Sequence, residues 1–202
     1  MTAEKFVKLI KKDLSKNSVR LELRPKKYVL AEGIRFSGYF DSLKKVIVCA
    51  TDYPTEEWLS TLVHEYSHFC QWAEDTKVWR STFINGEDVG DTWILWTKGN
   101  IKLPKKIVKK HMALTRNLEV DCERRAVDLI IKYKLPINNL TYIMKANSYI
   151  YFYNYAFLRK RWWNKGKAPY RNPDCWCNFP PFFKKRYSQL PKYYIEAYDE
   201  YC

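Results

Sequence analysis

The segment with the clearest chemical potential is residues 61–71, because His64, Glu65 and His68 follow the pattern H-E-x-x-H. On a helix, two histidines four residues apart share one face, where both imidazoles can bind one zinc ion. The carboxylate of Glu65 can then take a proton from a water molecule at the open position of the metal. The pattern therefore predicts a metal site with two histidine ligands and Glu65 as general base. A pair of core or surface histidines is the alternative.

The predicted helix separates these histidines from its apolar face. At 100° per residue, with His64 at 0°, the large apolar residues fall between about 140° and 260°, and His68 lies at about 40°. The two side chains are thus outside the apolar arc, which favours a metal-facing role over a core role. They are two of only 3 histidines in the chain.

A second predicted helix, over residues 103–133, places two acidic side chains where apolar ones are expected. With Leu118 at 0°, Glu119 and Glu123 lie at about 100° and 140°, in the middle of an apolar arc, whereas Asp121 and Arg124 lie outside it. Buried carboxylates need a cation or strong hydrogen bonds. A zinc–histidine site would supply the cation; buried arginines or a water-facing surface are the alternatives.

The two motifs, His64-Glu65-x-x-His68 and the downstream Glu119-x-x-x-Glu123, resemble the gluzincin group of zinc metallopeptidases, with small phage or bacterial members as the nearest type. The resemblance covers these two helices and the strand before the first. It implies that Glu119 is the third zinc ligand and that Glu123 braces a ligating histidine. The group more often has Asp at the position of Glu123.

The resemblance also carries expectations about substrate. It implies that the strand at residues 45–50 pairs with an extended peptide. A tyrosine that stabilises the transition state is expected as well, and Tyr149 and Tyr153 are the candidates. The function that follows is zinc-dependent hydrolysis of peptide bonds in peptide or protein substrates, with one Zn²⁺ per chain.

The order of elements predicts an α+β fold, in which a small N-terminal β-sheet packs on a mainly helical, zincin-like domain that contains the HExxH helix and the Glu-bearing helix. Length and the lack of a long linker predict a single domain over residues 1–202, with an aromatic, Pro-rich tail at about 164–202 packed on it. The predicted helices span 3–15, 103–133, 140–162 and 192–201, and the motif helix is predicted to have Thr51 or Asp52 as its cap, Pro54 in its first turn and its end at about 72. The predicted strands span 19–23, 34–40 and 45–50, the last two as a hairpin.

The net charge of +14 predicts an attraction to nucleic acid or another polyanion, although biased codon use is an alternative cause. A basic nucleic-acid-binding or virion-type structural protein with a non-catalytic zinc site is therefore the alternative function. The charged N-terminus and the lack of a long apolar run predict a cytoplasmic protein without a membrane span, compatible with viral or phage origin. The 6 cysteines are then expected to be reduced thiols.

Overall fold

Residues 1–31, 34–164 and 166–202 are described by a computed structural model, and they divide into two units. Unit 1 consists of Met1–Thr76 and Cys122–Asn139, and unit 2 consists of Lys77–Asp121 and Leu140–Cys202. Each unit combines two separate stretches of sequence, so no linker marks a boundary between them. The architecture is α+β, as predicted, with small sheets and long helices. A single domain over residues 1–202 stays a prediction.

The first stretch of unit 1 alternates helices with short strands. Its elements are α1 (Ala3–Ser15), β1 (Arg20–Arg24), β2 (Val29–Ala31), β3 (Ile34–Phe36), β4 (Gly38–Asp41), β5 (Val46–Ala50) and α2 (Thr55–Ala73). Helix α1 begins at a Thr2 cap and buries Phe6, Ile10 and Leu14, which recur every four residues on one face. The bounds of α1 agree with the prediction, and α2 ends within one residue of its predicted end. The predicted start of α2 is wrong, because Pro54 occupies the cap position instead of the first turn.

Strand β5 is the centre of the sheet in unit 1. It pairs in parallel with β1 and antiparallel with β4, and all five of its residues are buried. The prediction that residues 45–50 pair with a substrate peptide is therefore wrong, because both edges of this strand already have partners. Among the described residues, β4 is an edge strand of this sheet.

The predicted strand at residues 34–40 is divided at Ser37. Only β4 forms the expected hairpin with β5, whereas β3 pairs antiparallel with β2 in a separate two-stranded sheet. The side chains of Ile34 and Phe36 are exposed, so their alternation in the sequence does not mark a buried face. The hairpin prediction is thus confirmed for β4 and β5 and wrong for residues 34–36.

Helix α2 is held against both the sheet and α1. Its Leu59, Leu62 and Val63 are fully buried, and the Tyr66 hydroxyl donates a hydrogen bond of 2.6 Å to Asp13 on α1. Phe40 of β4 contacts Phe69 edge to face. These contacts fix the rotation of α2, and with it the direction of the motif residues.

Unit 2 contains most of the remaining helices. In chain order the elements after α2 are α3 (Lys77–Arg80), β6 (Phe83–Ile84), β7 (Glu87–Asp88), α4 (Val89–Thr97), α5 (Lys105–Tyr133), α6 (Asn139–Arg159), a 3₁₀ turn (Pro169–Arg171), α7 (Pro173–Trp176) and α8 (Lys192–Tyr201). The residues of α5 up to Asp121 belong to unit 2, and its later residues belong to unit 1. The residue 73–100 stretch thus contains one helix of more than two turns, α4.

The core of unit 2 is aromatic. Trp93 on α4 lies against Tyr153 and Trp162, with ring centroids 5.2 and 5.4 Å apart. The tail joins this core, since Phe179 and Tyr198 are buried in the same cluster. No helix among the described residues is both long and apolar enough to cross a bilayer.

Candidate metal centre

Helix α2 brings the two motif histidines to one point. His64 and His68 are one turn apart, and their Nε2 atoms are separated by 3.2 Å with the ring planes at 88°. Two nitrogens that bind one tetrahedral zinc at about 2.0–2.1 Å lie about 3.3 Å from each other. The spacing of the two Nε2 atoms therefore matches that of two ligands on a single ion.

The outer nitrogen of each imidazole has its own acceptor. His64 Nδ1 lies 3.2 Å from Oε1 of Glu123 on α5, and His68 Nδ1 lies 2.9 Å from Oε1 of Gln71, one turn further along α2. A carboxylate and an amide oxygen accept hydrogen bonds, so both Nδ1 atoms donate. In the neutral tautomer with the proton on Nδ1, each ring presents the lone pair of its Nε2, through which it can bind a metal.

Two facing lone pairs create a need for positive charge. At 3.2 Å the two Nε2 atoms repel each other unless a proton or a metal ion lies between them. Burial alone would lower the pKa of His64, but the neighbouring Cys122 thiol and Glu123 carboxylate raise it well above its usual value. The surroundings of His64 thus favour a positive charge at this position, either as a proton on the ring or as a bound metal ion.

Cys122 on α5 is a third potential ligand, although its place on the apolar face of the helix does not by itself indicate that role. Its Sγ lies 3.6 Å from His64 Nδ1 and 3.3 Å from the His64 carbonyl oxygen. Ligand atoms of His64, His68 and Cys122 all lie within 4.8 Å of one another. A sequence signal existed, because Cys122 precedes Glu123 directly and a thiolate is a common zinc ligand.

Glu65 is buried, with 8% of its surface exposed, and lies where α2 approaches the sheet. Gly38 of β4 is so close that a Cβ atom there would lie 3.3 Å from Glu65 Cγ, 2.9 Å from the Val48 carbonyl oxygen and 2.8 Å from Thr61 Cγ2. Burial, together with the nearby Glu65 carboxylate, also raises the pKa of Cys49 on β5 to about 12. The side chain of Glu65, the general-base candidate, therefore packs between its own helix and the sheet.

The remaining predicted site residues lie together in unit 2. Glu119 on α5 is buried, with 7% exposed, and its Oε1 accepts a hydrogen bond of 3.4 Å from the Tyr153 hydroxyl. The hydroxyls of Tyr149 and Tyr153 on α6 are 2.8 Å apart. His64, Glu65, His68 and Glu123 thus form one group in unit 1, and Glu119 with the two tyrosines forms another in unit 2.

The burial predicted for the two carboxylates of α5 is confirmed. Glu119 and Glu123 are 7% and 6% exposed, whereas Arg124 is exposed and Asp121 is half-buried. For Glu123, the His64 imidazole is the partner that makes burial possible.

The chain matches no protein-family model, no curated protein and no solved structure. Its candidate function therefore follows from its own geometry.

Proposed function

We propose that the protein is a zinc-dependent metallopeptidase that holds one zinc ion through His64 and His68. The observation that carries the proposal is the 3.2 Å separation of the two Nε2 atoms, each on a ring whose other nitrogen has an acceptor. A proton shared by the two Nε2 atoms is the alternative cause of this spacing. A zinc ion bound to both Nε2 atoms would account for their orientation and spacing.

In the proposed reaction, Glu65 acts as general base and then as general acid. A bound zinc ion would polarise the scissile carbonyl and lower the pKa of the attacking water. Glu65 follows His64 directly, so its side chain points about 100° away from that ligand and serves as a proton acceptor instead of a ligand. It takes a proton from the water and passes it to the leaving amine. Glu123 keeps His64 in the ligating tautomer throughout.

The third ligand has two candidates of different chemistry. Glu119 is the candidate that the resemblance to gluzincins implies, and Cys122 is the candidate whose sulfur lies beside His64. Replacement of zinc by cobalt(II) distinguishes the two ligands, because a thiolate adds an intense ligand-to-metal absorption in the near ultraviolet and a carboxylate does not. We expect that absorption to be absent from the wild type and unchanged in Cys122→Ser.

Strand β4 is the proposed partner of an extended peptide substrate. It is an edge strand among the described residues, and its Gly38 lies directly against Glu65. An edge strand offers backbone N–H and C=O groups to an added strand. A peptide paired with β4 would run next to the general base, which the buried strand β5 cannot arrange.

The test of the proposed function is the variant Glu65→Gln, made beside Glu57→Gln. Both changes remove one carboxylate from α2, but Glu57 is exposed near the start of the helix. Each protein is loaded with zinc and assayed on a quenched-fluorescence peptide library. We expect Glu65→Gln to keep zinc and to lower hydrolysis by a factor on the order of 10² or more, the scale of lost acid–base catalysis.

The control Glu57→Gln should hydrolyse peptides at the wild-type rate. Equal hydrolysis by zinc-loaded wild type and Glu65→Gln would remove Glu65 from the mechanism. Zinc-loaded wild type that cleaves no member of the library would count against the peptidase itself, and a structural metal site would then be the better account of the histidine pair.

A second candidate function rests on the uneven distribution of charge. Unit 2 has 20 Lys and Arg against 9 Asp and Glu, a balance of +11, whereas unit 1 has 16 against 13, a balance of +3. No acidic residue occurs between residues 92 and 118. Within that stretch, two turns of α5 carry four exposed lysines, here called the lysine quartet: Lys105, Lys106, Lys109 and Lys110. Such a surface suits the phosphates of a nucleic acid.

Salt-dependent binding to a single-stranded oligonucleotide tests this second function. Changing the lysine quartet to glutamine should weaken binding and make the slope of log affinity against log salt shallower, because fewer counterions are released. The matched control changes four exposed lysines of α1 in unit 1: Lys5, Lys8, Lys11 and Lys12. Equal losses in the two variants would mean that binding reflects net charge alone.

A further inference from the structure

Two thiols meet in the tail of unit 2. Cys175 lies on α7 and Cys202 at the end of α8, and their Sγ atoms are 3.8 Å apart. Both are free thiols, and both residues are buried, with 0% and 4% of their surface exposed. The sulfurs of a disulfide are about 2.05 Å apart, so these two would have to approach by less than about 2 Å. Rotation of the two side chains can supply an approach of this size.

The segments that carry the two thiols are packed on each other. The Cys202 N–H donates a hydrogen bond of 3.0 Å to the Tyr198 carbonyl oxygen and so continues α8 to the cysteine. Phe179, four residues after Cys175, stacks on Tyr194 of α8 with ring centroids 4.3 Å apart. The Phe179 ring also lies 5.2 Å from that of Tyr198. This aromatic packing keeps the chain around α7 against α8, so the two sulfurs stay neighbours.

The two thiols differ in acidity. The pKa of Cys202 is lowered, chiefly because the Cys175 thiol donates a hydrogen bond to its sulfur; the charges of Arg161 and Lys167 act in the same direction, and burial opposes them. The same hydrogen bond raises the pKa of Cys175, and burial raises it further. The thiolate is the reactive form of cysteine. Cys202 is therefore the more reactive thiol, and Cys175 is placed to react with it in a second step.

Cys49 and Cys70 of unit 1 have the opposite shift. Burial is the main cause that raises the pKa of Cys49 to about 12 and that of Cys70 to about 11. A raised pKa keeps a thiol protonated and slow to react with oxidants. Oxidation of this chain is therefore expected at Cys202 before either of these two cysteines.

We propose that Cys175 and Cys202 form a reversible oxidation site, at which a hydroperoxide such as hydrogen peroxide converts the two thiols into one disulfide. The Cys202 thiolate attacks one oxygen of the peroxide, the O–O bond breaks, and the other oxygen takes a proton and leaves as water. The Cys175 sulfur then attacks the sulfenic acid on Cys202, and the S–O bond breaks. The released hydroxide takes the Cys175 proton and leaves as a second water. The two thiols lose two electrons, and one hydrogen peroxide becomes two waters.

The disulfide acts on the tail, because it closes a loop around the segment that α6 holds. Asn147 on α6 donates to the carbonyl oxygens of Pro180 and Phe182, and both acceptors lie between the two cysteines in the chain. A cross-link between residues 27 apart restricts the unfolded chain and so stabilises the folded one. The oxidised tail is therefore held on α6 more firmly than the reduced tail. This inference is independent of the proposed function.

Mapping of the cross-link after treatment of the full chain with hydrogen peroxide tests the site. Trypsin digestion of Cys177→Ser gives fragments 172–184 and 193–202, whose cysteines are Cys175 and Cys202. We expect mass spectrometry to find these fragments joined after oxidation and separate after dithiothreitol. In the wild type, chymotrypsin cleavage after Trp176 separates Cys175 from Cys177, and the same link should be found.

Thermal unfolding measures the effect on the tail. Peroxide should raise the melting temperature of Cys177→Ser by roughly 5–10 °C, and dithiothreitol should reverse the rise. The matched controls are Cys175→Ser and Cys202→Ser, each made in the Cys177→Ser background. Neither control should show joined fragments or a rise in melting temperature. Cys177 is the exposed neighbour of the pair, so its removal in all three proteins excludes a competing thiol.

Two results would overturn the oxidation site. One is peroxide-treated Cys177→Ser with both thiols free, and the other is a disulfide that joins Cys175 or Cys202 to a different cysteine. Joined fragments without a rise in melting temperature would overturn the effect on the tail. The mapping in the wild type and in Cys177→Ser decides the site even if a variant of a buried cysteine fails to fold. None of these measurements involves zinc or peptide hydrolysis, so they leave the proposed function intact.

Discussion

The two units bury polar side chains for different reasons. In the described part of unit 1, the buried polar side chains are Glu65, Ser67 and Gln71 on α2 and Glu123 on α5. In unit 2, a typical buried polar residue is Asn147, whose amide donates to the carbonyl oxygens of Pro180 and Phe182. Asn154 likewise donates to the carbonyl of Tyr187. Unit 2 thus uses Asn147 and Asn154 to hold its tail, whereas Gln71 and Glu123 of unit 1 contact the two histidines.

This difference identifies where a ligand is needed. Burial of a polar group costs free energy unless the group is hydrogen-bonded, and the tail carbonyls of unit 2 satisfy Asn147 and Asn154 within the fold. In unit 1, Glu123 and Gln71 are satisfied by the outer nitrogens of the histidines, which leaves the inner nitrogens facing each other. The internal hydrogen bonds of unit 1 therefore orient a site instead of completing a core.

The largest expected effect is the loss of zinc from the double variant His64→Ala, His68→Ala. The wild type should bind about one zinc per chain, because the two histidines are proposed to hold a single ion. The double variant should bind none, as measured by metal analysis after dialysis. Full zinc occupancy in this variant would show that the histidine pair is not the metal site.

A smaller but still strong effect is expected at Glu119, the ligand candidate in unit 2. Glu119→Gln should weaken zinc binding strongly, because an amide oxygen is a poorer ligand than a carboxylate, whereas Asp121→Asn should leave it nearly unchanged. Asp121 is a suitable control because it is two residues away on α5 and lies outside the buried face. If Asp121→Asn weakened zinc binding more than Glu119→Gln did, the predicted orientation of the α5 side chains would be wrong.

Glu123 should matter less than the ligands themselves. Glu123→Gln keeps an acceptor beside His64 Nδ1 but removes the charge that stabilises the ligating tautomer, so zinc affinity should fall by about 10-fold to 100-fold. Asp128→Asn is the matched control, because Asp128 is an exposed acidic residue of the same helix and unit. A chelator titration that finds Glu123→Gln and Asp128→Asn equal to the wild type would contradict the bracing role.

The sequence predicted what depends on helical periodicity. The phase of α5 placed Glu119 and Glu123 on a buried face, and both are buried. Gln71 is three residues after His68, so the same helical periodicity allows the hydrogen bond between the two side chains. The apolar character of Cys122 concealed its contact with His64, since a buried thiol looks like a small hydrophobic residue in a helical pattern.

The sequence could not predict what depends on distant pairing. The exchange of partners at Ser37, where β3 pairs with β2 and β4 with β5, is decided by tertiary contacts and not by strand propensity. The two units also combine segments that are far apart in the chain, so composition gives no boundary between them. Local pattern thus located the site residues of α2 better than the strands beside them.

The smallest expected effect compares one glycine of each unit, Gly38 and Gly90. A methyl group at Gly38 would lie 2.9 Å from the Val48 carbonyl oxygen, a backbone atom that cannot move aside. Gly38→Ala should therefore lower the free energy of unfolding by about 1–3 kcal/mol, as overpacking does, and should displace Glu65 enough to lower hydrolysis. At Gly90, at the start of α4, the nearest atom is Asp88 Oδ1 at 3.1 Å, the end of a side chain that can turn away.

Gly90→Ala should change the free energy of unfolding by less than about 1 kcal/mol, because the helix preference of alanine offsets a weakened cap. Urea titrations of the two variants measure both values. The double variant Gly38→Ala, Thr61→Ser removes the nearest methyl contact at 2.8 Å and should recover part of the loss, but not the part due to Val48. Equal stability of Gly38→Ala and wild type would show that β4 does not press on α2, and the proposed place of the substrate beside Glu65 would lose its support.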